Sequence, residues 1–256
     1  MRKYIEEYTK KYLTHKNLPF ITLGAGLLGF VLRLWQLNTR TDAGFILRGH
    51  ISGILLAILT AIFLVAVALA SRPLVQANKY DFNFPASVYG AAGCIAGAAC
   101  FALTSILAFI NKESTVVAIV GLVAAGALVF AGKCRLEGQH PSALFHIVIC
   151  VYLVLRLLAL YRMWSADPQL ADYCYPLLAM VFLMLTAYHR ATFNANFGQR
   201  RSYTLFNLAA VYFCFLSVAG PKDIFFYLGA GCWLVTDQCN LTPMPHRFME
   251  RKNETT

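Results

Sequence analysis

Eight long apolar segments run almost end to end through this chain, at 19–37, 51–71, 84–110, 114–134, 141–162, 174–193, 202–220 and 223–241. Each can cross a hydrocarbon core of about 30 Å, which takes about 20 helical residues. In lipid a spanning segment must satisfy its own backbone hydrogen bonds, so these stretches are expected to be helices rather than loops or open strands. The expected fold is all-α: a polytopic transmembrane helix bundle of about eight spans.

Composition agrees. A mean hydropathy of +0.58, with 13% charged residues among 256, excludes an ordinary soluble domain. The connections are little more than a dozen residues long at most, which leaves no room between spans for a separate soluble unit. Eight cysteines fall mostly inside the apolar segments and form no C-x-x-C pair. That placement reads as small packing residues rather than a metal site or a disulfide framework.

The net charge of +10 invites a nucleic-acid reading, but its distribution does not support one. An even span count puts both ends on one side. That side collects 15 Lys and Arg, against 7 on the other. Such an excess marks the cytoplasmic face and favours anionic lipid as a partner. The expected location is the inner or plasma membrane, multi-pass, with both termini cytoplasmic. Among the first residues, Tyr4, Ile5, Tyr8, Tyr12 and Leu13 recur at helical spacing between lysines, as in a helix lying on a membrane surface.

The order of several local matches points to a duplication. Val31-Leu32-Arg33-Leu34 is echoed by Val154-Leu155-Arg156-Leu157, and Lys112-Glu113 by Lys222-Asp223. Ala125-Gly126 with Cys134 and Leu136 is echoed at the same spacing by Ala230-Gly231 with Cys239 and Leu241. The expected organisation is an amphipathic cytoplasmic helix at 1–18, a four-span repeat at 19–138, a second at 139–243 and a cytoplasmic tail at 244–256. Four spans per repeat would make the halves parallel, related by an axis along the membrane normal. Gly93-x-x-x-Gly97 reads as a close-packing face. Gly24-x-Gly26-x-x-Gly29 has the spacing of a dinucleotide loop but lies within an apolar span with no preceding strand, so it also reads as helix packing.

Few residues in the spans can carry chemistry. Arg33 and Arg156 lie a turn or more inside their helix ends, where a charge costs a few kcal/mol unless paired. They could offer forked donors to an anion between the repeats, or each could pin an acid of its own outer loop, Asp42 or Asp167. Trp164 with Asp167 sits in the most polar outer loop and suits either an interfacial belt or a ligand mouth. Asp237, near the end of the last span, and His146, one turn after Ser142, are candidates for an ion or proton relay; His146 also suits a hydrogen-bonded packing role. No Walker A, H-E-x-x-H or G-x-S-x-G motif is present, so no catalytic residue, metal or cofactor is implied.

The run from Trp164 to Tyr173, then Ala187-Tyr188-His189-Arg190, together with Leu32-Arg33-Leu34, Asp42 and Gly49-His50, resembles a family of uncharacterised bacterial polytopic membrane proteins. The resemblance spans most of the chain. It implies a bacterial inner-membrane setting and no particular activity. The leading functional expectation is binding or translocation of a small anionic or amphiphilic solute between two repeats. A non-catalytic accessory or regulatory subunit, with a membrane protein or a second copy as partner, is the alternative. An intramembrane enzyme is the third reading, and the weakest.

Overall fold

A computed structural model describes residues 2–39, 50–72, 74, 78–112, 114–164, 173–220 and 222–242, the side chains of 2–16, 163 and 164 excepted. Among the described residues every regular element is a helix, with no strand. The elements are α1 (Arg2–Asn38), α2 (Ile51–Ser71), α3 (Tyr80–Asn83), α4 (Val88–Ile110), α5 (Thr115–Glu137), α6 (Ala143–Trp164), α7 (Cys174–Asn194), α8 (Arg200–Val218) and α9 (Ile224–Cys239). Six of them hold stretches long and apolar enough to cross a membrane: Asn17–Asn38, Ile51–Ser71, Val88–Ile110, Thr115–Glu137, Ala143–Arg162 and Cys174–Asn194. Their outward faces are rich in exposed Ile, Leu, Val and Phe, such as Ile54, Ile58, Ile62 and Val65 on α2. Lipid is the solvent that such a surface requires.

The remaining two long helices differ for a physical reason. In α8 every residue from Asn207 to Cys214 is buried, because α1, α2, α7 and α9 all pack around it. A helix wrapped in protein need not present an apolar surface, so α8 tolerates Arg200, Thr204 and Asn207 in its buried face. The last helix, α9, is only 16 residues long, about 24 Å.

Packing closes a ring. Going round, α4 meets α5, α5 meets α6, and so on to α9, which returns to α4. Outside this ring, α1 lies against α8, and α2 against α1 and α8. The ring joins residues on both sides of 138, α5 to α6 and α9 to α4. The first helix, α1, continues through Pro19.

Small residues make the closure tight. A Cβ on Gly93 would collide with Thr236 of α9, and one on Gly97 would come 3.1 Å from the Gly229 carbonyl. On the other flank Gly26 and Gly29 lie against Phe215 and Leu216 of α8, so both glycine patterns serve backbone approach. Ser87 caps α4 by accepting from the Gly90 N–H at 3.1 Å, and Gly138 ends α5 with a left-handed φ of 69°. Because the helices alternate in direction, the ends of α5, α7 and α9 and the starts of α4, α6 and α8 share one level. That level is called the near end below, and the opposite one the far end.

Candidate functional site

The near end holds the most polar part of the interior. Arg135 of α5, Arg190 of α7 and Asp237 of α9 are all buried, at 1%, 3% and 0% exposure. The Asp237 carboxylate lies between the two guanidiniums, with Oδ1 2.9 Å from Arg135 Nη1 and Oδ2 3.5 Å from Arg190 Nε. Tyr203 of α8 donates its hydroxyl to Oδ2 at 3.4 Å. Four helices thus place charged or polar groups on one point.

Each of these residues closes the buried stripe of its own helix. Arg135 follows Gly121, Ala124, Leu128 and Ala131 on α5. Arg190 follows Ala179, Leu183 and Ala187 on α7, and Asp237 follows Phe226, Ala230 and Trp233 on α9. Steps of three and four keep residues on one face, so the charges point into the ring rather than snorkelling outward. Gly90 leaves space for Arg135, since a Cβ there would fall 2.5 Å from Arg135 Nε.

Aromatic rings cover the charges. The Phe84 ring centroid is 3.4 Å from the Arg190 guanidinium carbon and 5.0 Å from that of Arg135, and Tyr80 lies 5.3 Å from Arg190. Such stacking suits guanidiniums because they are planar and weakly hydrated. The covering segment is tied down at several points. Tyr80 N–H donates to Asn196 Oδ1, Thr242 N–H to the Asn83 carbonyl, and Ser87 Oγ to Asn240 Oδ1. Burial pushes the Tyr80 phenol above its ordinary pKa, although Arg190 and Arg135 pull it down, so this ring faces the site as a neutral group. Arg200 lies one turn before Tyr203 and donates to the Thr242 carbonyl.

His146 borders the same layer. Its Nδ1 accepts from Asn194 Nδ2 at 2.9 Å, which leaves the ring proton on Nε2, and Trp233 is 6.2 Å away between centroids. Two relay candidates from the sequence, His146 and Asp237, therefore border one polar layer. Arg135 and Arg190 complete it, although by sequence they belong to the count of cytoplasmic surface charges. The signal that could have found them is the stripe of small residues leading into each.

The charges do not balance. Two guanidinium cations face one carboxylate. Nε and Nη2 of Arg135 and Nη1 of Arg190 have no hydrogen-bond partner. The amide oxygens of Asn194 and Asn207 are likewise unmatched. The arrangement can hold an anion, since its donors and its net charge both favour one.

The far end is built differently. Arg156 of α6 pairs with Asp223 at 2.5 Å, accompanied by the Tyr152 hydroxyl at 3.2 Å and the Phe226 ring at 4.4 Å. Asp223 stands at the start of α9 with a left-handed φ of 63°. Arg33 of α1 donates to Gln36 Oε1 at 2.7 Å and lies 5.1 Å from the Tyr175 ring of α7. The two arginines expected to face one another are thus held by different neighbours. Asp42, Asp167 and the Trp164 side chain lie outside the described residues. Among the described residues no group of three or more His, Cys, Asp or Glu gathers as a metal site. Neither a family model, nor a curated protein, nor a solved structure matches the chain.

Proposed function

We propose that the protein binds a small anionic or amphiphilic solute inside the six-helix ring, at the Arg135–Asp237–Arg190 centre, and passes it between the near end and the membrane or its far side. The observation that carries this is the buried two-to-one charge ratio with guanidinium donors left over. An uncompensated charge at such a position costs several kcal/mol. A ligand of opposite charge recovers that energy on binding, so the free site is primed for an anion.

The setting we infer is a bacterial inner membrane with the near end cytoplasmic and α8 and α9 as the seventh and eighth crossings. Supporting this, α9 has Asp223 at the far-end pair and Asp237 at the near-end centre, so it reaches both levels. The Lys and Arg excess lies on the near-end side, as expected of a cytoplasmic face. Reporter fusions after Lys79, Gln139 and Gln199 should read cytoplasmic, and after Asn38 and Asn111 external. A reversed signal after Gln139 would overturn the orientation.

The binding reading is tested on protein purified in mild detergent, in a buffer whose own anions are bulky sulfonates. Acetate, chloride and sulfate are titrated at constant ionic strength while melting is followed. At least one anion should raise the melting temperature saturably, and Arg135→Gln and Arg190→Gln should each abolish that rise. An unchanged response in both variants would remove the site from this role. A stoichiometric protein partner on purification, with no anion response, would favour the accessory-subunit reading instead.

A further inference from the structure

The site contains a carboxylate of its own, and its placement has a consequence for which anions can enter. Asp237 faces Arg135 from α5, Arg190 from α7 and the Tyr203 hydroxyl from α8, with Tyr80 and Phe84 of the covering segment beyond. It is fully buried, and no second acid touches it among the described residues. The three charged groups in mutual contact sum to a single positive charge. Arg200 is engaged elsewhere, at the Thr242 carbonyl.

We propose that Asp237 is the specificity-determining residue of this site: a tethered carboxylate that sets the ligand's charge class as monoanionic. The proposal rests on the anion-binding reading above. In a low-dielectric enclosure Coulomb terms are large, so the ledger of formal charges decides what can be held. One monoanion brings the four groups to neutrality. A dianion overshoots to a net negative charge and meets the fixed negative charge of Asp237 at short range. The donors left over also match this class. Arg135 Nε and Nη2 form an adjacent pair on one edge of the guanidinium, and they have no partner. Such an edge suits the two oxygens of a carboxylate or the single sphere of a halide. Asp237 itself shows that a carboxylate is compatible with these guanidiniums, since it occupies the place of one.

The resident acid thus acts as negative selection, excluding phosphate- and sulfate-like dianions through repulsion rather than shape. Removing its charge should change the class, and removing one guanidinium as well should change it back. Net charge then predicts selectivity across a series: plus one in the native site, plus two in Asp237→Asn, plus one again in Asp237→Asn with Arg190→Gln, and zero in Arg190→Gln.

The experiment measures melting of the purified full-length protein in detergent at pH 7.5 with sodium acetate and sodium sulfate as probes at equal ionic strength. The native protein should respond saturably to acetate and not to sulfate. Asp237→Asn should gain a saturable sulfate response, with sulfate affinity raised by roughly tenfold or more. The double variant should return to acetate, and Arg190→Gln should answer to neither. If Asp237→Asn does not fold, the double variant and Arg190→Gln still decide the matter, because their predicted responses differ. An Asp237→Asn protein that keeps the native acetate preference would overturn the charge filter while leaving anion binding intact. So would a double variant that prefers sulfate. A native protein that answers to neither probe, nor to chloride, defeats the binding reading itself.

Discussion

The near and far ends of the ring use the same residue types to different effect. At the far end Arg156 meets one acid, Asp223, at 2.5 Å, and a tyrosine hydroxyl takes another of its donors. The charges cancel, and the pair fastens the start of α9 to α6. At the near end Asp237 is shared between Arg135 and Arg190, so one positive charge and several donors remain. Exposure differs too: the Asp223 side chain is 22% exposed, while that of Asp237 is at 0%. A balanced pair at a half-open edge is a fastener. An unbalanced cluster sealed beneath Tyr80 and Phe84 is left one negative charge short.

Breaking the near end should cost most. Asp237→Asn leaves two buried guanidiniums without a counter-ion, and should destabilise the anion-free protein by about 4 kcal/mol. Chemical denaturation in detergent measures this, and a loss below that of the far-end variant would invert the comparison. Next in size is Asp223→Asn. Arg156 keeps the Tyr152 hydroxyl and the Phe226 ring, and the Asp223 side chain that is replaced is 22% exposed, so about 2 kcal/mol is expected. No added anion should restore it, whereas exchanging the pair, Arg156→Asp with Asp223→Arg, should recover part of the loss.

Smaller effects sharpen the boundary between clamps and packing. Gly93→Ala puts a methyl group against Thr236 one residue before Asp237, and α4 must shift outward to admit it. Overpacking of this kind costs about 1–2 kcal/mol. It should also weaken the near-end anion response, because α4 carries Gly90 beneath Arg135; an unchanged response would mean that the centre does not depend on α4–α9 spacing. The smallest effect belongs outside the ring. Tyr212→Phe removes the 2.9 Å hydrogen bond to Thr60 of α2, worth about 0.6 kcal/mol in a membrane interior. It should leave both ends untouched, as read by anion response and by the Asp223→Asn increment.

Much of the architecture is legible along the chain because the cues are local. Apolar length fixes which segments can span, and the bounds of α2 and α7 fall within a residue of the segments expected at 51–71 and 174–193. Gly93 and Gly97, or Gly26 and Gly29, announce close approach because nothing else fits where backbones meet. The segment expected at 202–220 is also a helix, α8, but it is not among the six apolar enough to cross a membrane. Hydropathy measures compatibility with lipid, and α8 meets protein on nearly every side.

What the sequence by itself determined is the class: helices in lipid, with a basic near-end side, and small-residue faces where they touch. These follow from per-residue transfer energies and a fixed helical period, both of which are properties of a segment in isolation. Only the tertiary structure decided which charges meet. Arg135 and Arg190 sit in or near the last turn of their helices, where the chain alone cannot distinguish a side chain reaching outward to headgroups from one turned into a ring. Closing α4 through α9 turned both inward onto an acid more than 40 residues away from either, and left them one negative charge short. Coulomb energy depends on separation in space and on the surrounding dielectric, and neither exists until the helices have packed.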